Sequence, residues 1–87
     1  MSRHRLEPRN PNNVREVVVG WDSPMRTFYA VVEDHSGAIP VDLGDSIEPV
    51  LRPGAVLDAV RPYAAIPPGL DDELLRDALA DPGIRAA

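Results

Sequence analysis

The chain has 87 residues, with nine Arg, no Lys and 14 Asp plus Glu, so its formal net charge is −5. This length allows one small domain with a modest core, and the negative charge disfavours a general nucleic-acid coat protein. The absence of Cys excludes disulfides, thiolate zinc sites and cysteine nucleophiles. No apolar run approaches the ~20 residues of a membrane span, and the first residues lack the apolar centre of a signal peptide, so we expect a cytoplasmic protein without a membrane partner.

Residues 1–13 (MSRHRLEPRNPNN) contain three arginines, two prolines and three asparagines, and Leu6 is their only large apolar side chain after Met1. Such a composition cannot bury enough apolar surface to offset the entropy that is lost on ordering. The sequence therefore predicts a flexible Arg-bearing arm over 1–13, a single domain over 14–83 and a short tail over 84–87.

Three runs rich in β-branched and aromatic residues follow the arm, at Val14 to Trp21, Thr27 to Glu33 and Ala38 to Leu43. They are joined by turn-type residues, which predicts an antiparallel meander of three strands. Pro40 has no N–H to donate, so the third strand is expected at an edge, where Pro40 also partly blocks self-association. Side chains alternate between the two faces of a strand, and on one face all of them are apolar. The predicted core face consists of Val17, Val19, Trp21, Phe28, Ala30, Val32, Ile39, Val41 and Leu43.

After the meander the apolar spacing changes towards that of a helix. Ser46 is predicted to cap a short helical turn that reaches Leu51. Residues 55–60 are too few to separate helix from strand by length, but their apolar spacing favours a short helix. A clearer helix begins at Leu70, has three acidic residues in its first turn and ends before Pro82-Gly83. Its apolar stripe consists of Leu70, Leu74, Leu75, Ala78 and Leu79.

Catalytic candidates are few. His35 follows Glu33 and Asp34, which are the residue types of a metal site or a general base, with Ser23 or Ser36 as imaginable partners. However, His35 lies in a predicted turn, where an exposed histidine is the simpler interpretation. The six glycines form no phosphate-binding motif, and adjacent acidic residues on a helix do not converge on one cation. We therefore expect no catalytic residue, no cofactor and no metal.

The segment from Trp21 to Val31 is the predicted partner-binding surface. Trp21 has two interpretations: a core anchor at the end of the hairpin, or the centre of an exposed patch with Met25 and Tyr29. Val31 shares the mixed sheet face with Tyr29, and Arg26 supplies a polar rim. An apolar centre with a charged rim is typical of a modest protein interface. The predicted set is Trp21, Met25, Arg26, Tyr29 and Val31.

The N-terminal charge opposes that of the rest of the chain. Residues 1–15 carry Arg3, Arg5, Arg9 and Arg15 against Glu7 alone, a formal charge of +3, which leaves −8 for the remainder. These arginines could contact phosphate or an acidic partner, as in a nucleic-acid-associated accessory protein. Alternatively, the acidic body could imitate nucleic acid towards a basic partner, or the arm could be a solvated tail.

The strings GWDSPMRTFYAVVED, VDLG and AVRPYAAIPPGLDDELLRD resemble a set of small uncharacterised bacterial proteins that are often carried on plasmids and other mobile elements. The shared pattern is Trp, an acidic or amide residue, a proline two positions on, and then Thr-Phe followed by an alternating strand. The resemblance spans about residues 17–77 and rests on core and turn positions. It implies a mobile-element origin, and it implies no activity and no site residue.

Together these observations predict an α+β fold, a three-stranded antiparallel β-meander packed against two or three short C-terminal helices. The leading functional hypothesis is a small non-enzymatic protein-protein interaction or regulatory module whose partner is another protein. The nucleic-acid accessory protein, the acidic mimic and a small enzyme acting through His35 stay open as alternatives.

Overall fold

The computed structural model describes residues 2–45 and 47–81. It confirms the α+β class, with one antiparallel sheet in the order β1-β2-β3-β4 and two helices that pack on one face of the sheet. The elements are β1 (His4–Leu6), β2 (Val14–Asp22), β3 (Thr27–Asp34), β4 (Val41–Leu43), α1 (Pro53–Val60) and α2 (Leu70–Leu79). The sheet thus has four strands where three were predicted. The predicted cap at Ser46, the helix stop at Pro82-Gly83 and the tail 84–87 lie outside the described residues.

The additional strand lies in the segment that was predicted to be a mobile arm. β1 pairs with β2, with Leu6 opposite Val17, and Leu6 is only 6% exposed. The segment after β1 is held as well, since the N–H of Arg9 donates to the carbonyl of Tyr63 at 2.8 Å. The prediction was wrong because it weighed apolar side chains alone. Backbone pairing with a long neighbouring strand and one buried leucine are sufficient to order a short edge strand.

The hairpin of β2 and β3 forms the centre of the fold. The six core residues predicted on these two strands are all buried, and the rings of Trp21 and Phe28 meet edge to face with centroids 5.0 Å apart. Helix α1 lies mainly against β3, and α2 against β2. The predicted helical cover over the apolar face of the hairpin is therefore confirmed.

The third predicted strand is shorter and more exposed than expected. β4 covers only Val41–Leu43, and Ile39 precedes it at 50% exposure. Leu43 is 37% exposed, and only Val41 packs against the core. The placement of Ile39 and Leu43 in the core was wrong because neither helix extends far enough over this edge to bury them. No helical turn forms at 47–51 either.

The two helices lie where the sequence predicts them, but the buried face of α2 is narrower than its apolar stripe. Pro53 occupies the first turn of α1, where its missing N–H costs nothing, and residues 55–60 are helical as predicted. In α2 the buried residues are Leu70, Leu74 and Ala78. Leu75 and Leu79, which belong to the predicted apolar stripe, are not buried: each lies 100° round the helix from a buried neighbour, and they are 43% and 57% exposed. Neither described helix has the length or apolar composition that crossing a membrane would require.

Candidate interaction surface

Trp21, the centre of the predicted partner-binding patch, is a core residue. It is 4% exposed, and its indole Nε1–H donates to Oδ2 of Asp81 at 2.7 Å. An indole in this position cannot be offered to a partner without unfolding the end of the hairpin. The patch interpretation of Trp21 is therefore wrong, and the core-anchor interpretation is confirmed.

Tyr29 lies on the opposite face of the sheet, where it holds the N-terminal segment. Its hydroxyl donates to the carbonyl oxygen of Ser2 at 2.7 Å. The ring crosses Gly20, where a Cβ would lie 2.7 Å from the Tyr29 hydroxyl and would also collide with the Ser2 carbonyl. Burial against these groups raises the pKa of the Tyr29 phenol. Tyr29 and its half-buried neighbour Val31 thus stabilise the sheet and present little free surface.

Met25 and Arg26 are the exposed members of the predicted patch, at the turn between β2 and β3. Met25 is 45% exposed, and its N–H donates to Oδ1 of Asp22 at 3.3 Å. Arg26 has a φ of 53°, the left-handed conformation that closes the turn. One exposed methionine beside one arginine is a small target for a partner.

Two of the four N-terminal arginines contact the same carboxylate. Nη2 of Arg3 lies 3.2 Å from Oε1 of Glu16, and Nη2 of Arg5 lies 2.7 Å from Oε2. Both arginine side chains are more than half exposed, so these pairs contribute little to stability. They do reduce the positive charge that the segment can offer to phosphate.

The other two arginines also have partners within the protein. Nε of Arg9 donates to the carbonyl of Arg61 at 2.8 Å, and Nε of Arg15 lies 4.0 Å from Oε1 of Glu33. A cleft of about 270 Å³ beside this region is lined by Arg5, Leu6, Glu7, Pro8, Arg15 and Glu16. Its two arginines are matched by two glutamates, so the lining has no net charge to attract an anion.

His35 is exposed on the turn between β3 and β4, and its Nε2–H donates to the carbonyl of Pro11 at 2.6 Å. Asp34 shapes that turn: its Oδ1 accepts from the Ser36 hydroxyl at 2.6 Å and from the N–H of Ala38 at 3.0 Å. The Ser36 hydroxyl, and then backbone N–H groups, lower the pKa of the Asp34 carboxyl. Within residues 2–45 and 47–81, no group of three or more His, Asp or Glu side chains is placed to hold a metal ion.

His4 makes a contact that the sequence analysis missed. Its Nε2 lies 2.6 Å from Oδ2 of Asp77, and its Nδ1 lies 3.8 Å from Oε2 of Glu73. Glu73 and Asp77 are one turn apart on α2, so they share the helix face that meets β1. Their spacing of four was visible in the sequence, but nothing in the sequence connects Asp77 to a histidine 73 positions away.

The two most exposed large aliphatic side chains of the described residues, those of Ile47 and Leu51, follow β4 in the chain. Ile47 is 87% exposed and Leu51 is 70% exposed, in addition to Ile39 and Leu43. The backbone brings them to one edge of the sheet, because β4 pairs with β3 and the chain then returns to pair with β3 again at Val50. We call this region the β4 surface, which comprises Ile39, Asp42, Leu43, Asp45, Ile47, Glu48 and Leu51.

The loop of the β4 surface is anchored at both ends. Leu43 is opposite Ala30, and Val50 is opposite Phe28, two residues along β3, so the two ends are about 7 Å apart. At the first end, Gly44 has a φ of 91° and lies so close to β3 that a Cβ at this position would collide with the carbonyl oxygen of Phe28.

Further hydrogen bonds hold the described residues between Asp45 and Val50. At the far end of the loop, the N–H of Val50 donates to Oγ1 of the buried Thr27 at 2.7 Å. Between the ends, Oδ1 of Asp45 accepts from the N–H groups of Ile47 at 2.9 Å and Glu48 at 2.7 Å. Ile47 is therefore presented to solvent by a loop that is tied to the sheet.

Comparison with models of known protein families, with curated proteins and with solved structures finds no match.

Proposed function

We propose that this protein is a small, non-enzymatic interaction module that acts in the cytoplasm and binds another protein through the β4 surface. The observation that carries the proposal is the exposure of Ile47 and Leu51, at 87% and 70%, beside a short edge strand. Aliphatic side chains exposed to this extent on an anchored loop are costly in water and are a feature of binding surfaces.

The free energy gained by burying Ile47 and Leu51 supports this choice of surface. Complete burial of one leucine or isoleucine contributes about 1.5–3 kcal/mol, and about 1.4 kcal/mol is a tenfold change in affinity. Ile47 and Leu51 together could therefore determine whether a partner binds. The hairpin turn offers Met25 alone, which is a weaker anchor because it has one exposed apolar side chain.

The alternative of a nucleic-acid-associated protein has less support. It requires free arginines near the N-terminus, whereas Arg3 and Arg5 share Glu16 and Arg15 faces Glu33. Catalysis through His35 would require a partly buried ring beside a carboxylate, whereas this ring is exposed and contacts the Pro11 carbonyl. The mobile-element origin that the resemblance implies stays a prediction.

The test is site-specific photo-crosslinking in cells that make the protein naturally. A benzophenone amino acid is placed at Ile47, at Met25 in the hairpin turn, or at Leu75, an exposed aliphatic position on α2. We expect a discrete protein adduct from position 47, lost when Leu51→Ser is added, and no adduct from position 75. An adduct from position 25 instead, or none from position 47, would contradict the proposal.

A further inference from the structure

We infer that the occupant of the β4 surface is a positively charged, apolar segment of another protein, held by side-chain contacts and not by addition of a strand to the sheet. This inference rests on the proposed function and adds the chemistry of the partner. It is carried by the charge of the surface and by the backbone of β4.

The β4 surface lies in the longest part of the chain without a positive charge. No Arg or Lys occurs between Arg26 and Arg52. Asp42, Asp45 and Glu48 are exposed, and within the described part of the chain none of them forms an ion pair. Glu16 and Glu33 on the open sheet face differ in this respect, because arginines lie beside both. These unneutralised carboxylates belong to the same edge segment as the exposed aliphatic residues, which favours a partner that carries Lys or Arg beside large apolar groups.

The backbone of β4 argues against strand addition. The N–H of Phe28 donates to Val50, and the N–H of Asp34 donates to Ala38, so the even-numbered residues of β3 direct their hydrogen-bonding groups towards β4. In β4, Val41 is opposite Val32 and Leu43 is opposite Ala30. The backbone N–H and carbonyl groups of Val41 and Leu43 are therefore directed towards β3.

Within the three-residue strand, only Asp42 then directs an N–H and a carbonyl outwards. Pro40, the next outward position before it, has no N–H. A single residue cannot support a strand pair, and a proline and a charge at an edge are features that prevent such pairing. Side chains must therefore provide the contacts.

Charge excludes three other occupants. A nucleic acid and an anionic membrane surface would both be repelled by Asp42, Asp45 and Glu48. A second copy that docked by two-fold symmetry would place these same carboxylates against each other. A Lys- or Arg-bearing segment of another protein satisfies both the apolar and the acidic groups.

The inference is tested with the whole chain and a dye-labelled amphipathic helical peptide of about 14 residues, or four turns, built from Leu and Lys. Two further peptides replace all Lys by Glu, or all Leu by Ser. Binding is measured by fluorescence anisotropy at low and high salt. We expect the Leu/Lys peptide to bind, with an affinity that falls as salt rises, and the other two to bind at least about tenfold more weakly.

Three variants locate the site. Asp42→Asn, Asp45→Asn and Glu48→Gln together remove the charge while keeping the Asp45 oxygen that accepts from the loop, and we expect a loss of about tenfold in affinity. Ile47→Ser with Leu51→Ser should abolish binding. The matched control on α2, Asp71→Asn and Asp72→Asn with Leu75→Ser and Leu79→Ser, should bind as the natural chain does.

Each other result overturns the inference. If the Leu/Lys peptide does not bind, if the Glu peptide binds equally, or if the α2 variant loses as much affinity, then the β4 surface does not select a basic segment. New protection of the Asp42 N–H from hydrogen exchange would show strand addition instead. If the charge variant binds normally while the Ile47/Leu51 variant does not, the basic partner is wrong but the proposed function survives. The proposed function itself fails only in the crosslinking experiment.

Discussion

Residues 2–9 have the composition of an exposed segment, and residues 39–51 contain the large apolar side chains of a buried one, but the structure shows the opposite in both cases. The first segment is polar and rich in arginine, yet Leu6 is buried, the backbone of β1 pairs with β2, and Pro8 pairs with Ala64. The second contains Ile39, Leu43, Ile47 and Leu51, yet all four are exposed. Apolar content therefore does not decide which edge of this sheet is buried.

The position of the helices explains the difference. Helix α2 lies over β2 and reaches β1 through the contact of His4 with Asp77. Helix α1 lies mainly over β3, and the edge beyond it receives little cover. One edge is thus part of the folded core, and the other is available as a surface. Four substitutions test this contrast.

The largest effect is expected from Gly44→Ala, at the anchor of the exposed segment. The left-handed φ and the collision with the Phe28 carbonyl should together lower the free energy of unfolding by about 3 kcal/mol. Gly37→Ala is the control, because Gly37 has a φ of 89° with no atom near its added Cβ, and it should cost only about 1 kcal/mol. Urea denaturation measures both. Equal losses would mean that the exposed segment is not anchored on β3.

Leu6→Ala tests the buried edge directly. Removal of this side chain should lower the free energy of unfolding by about 2–3 kcal/mol, because it leaves a cavity beneath β1. Ile39→Ala removes a similar side chain from the other edge and should cost less than about 0.5 kcal/mol. If the two variants are equally stable in urea, the two edges do not differ as described.

Tyr29→Phe removes the hydroxyl that holds Ser2, and at neutral pH it should cost about 1 kcal/mol. The raised pKa of Tyr29 adds a pH dependence. Its contribution is fully present below the ordinary phenol pKa of about 10 and is lost as pH rises through the raised value, because the unfolded chain ionises first. Melting temperatures measured from pH 7 to strongly alkaline pH should therefore converge for the natural chain and the variant. Tyr63→Phe, which leaves the Ser2 contact intact, should not show this convergence.

Ile47→Ser should have the smallest effect on the fold, within about 0.5 kcal/mol of the natural chain, because the side chain is 87% exposed. Urea denaturation checks this value. A larger loss would show that Ile47 packs within the protein, and the contrast between the two edges would then be weaker. The variant used to detect binding carries this substitution together with Leu51→Ser, so its stability is measured in the same way before a loss of binding is interpreted.

The sequence predicted the centre of the fold better than its edges. Alternation along β2 and β3 identified the buried residues of the hairpin, such as Val17 and Phe28, because both strands are long and one face of the hairpin is fully covered. β1 was missed because three residues are too few for an alternating pattern. Ile39 was misplaced because alternation gives a face and does not show where the covering helices end.

The candidate site was less predictable than the fold. A protein-binding role was the leading hypothesis from sequence, but it centred on Trp21, whose ring is as suitable for a core as for an interface. The run without positive charge from residue 27 to residue 51 was visible and was not used. The return of the chain to β3 at Val50, which presents Ile47, depends on a pairing that no local pattern encodes.

Among the described residues, contacts of His4 with Asp77 and of Trp21 with Asp81 join the first two strands to α2 and to the residues that follow it. During synthesis on the ribosome, β1 and the hairpin emerge long before these carboxylates. The apolar face of the nascent sheet therefore lacks the cover that α2 provides until α2 has been made. We expect premature termination before Leu70 to yield chains that aggregate or are degraded, so cellular quality control should remove fragments of this protein rapidly.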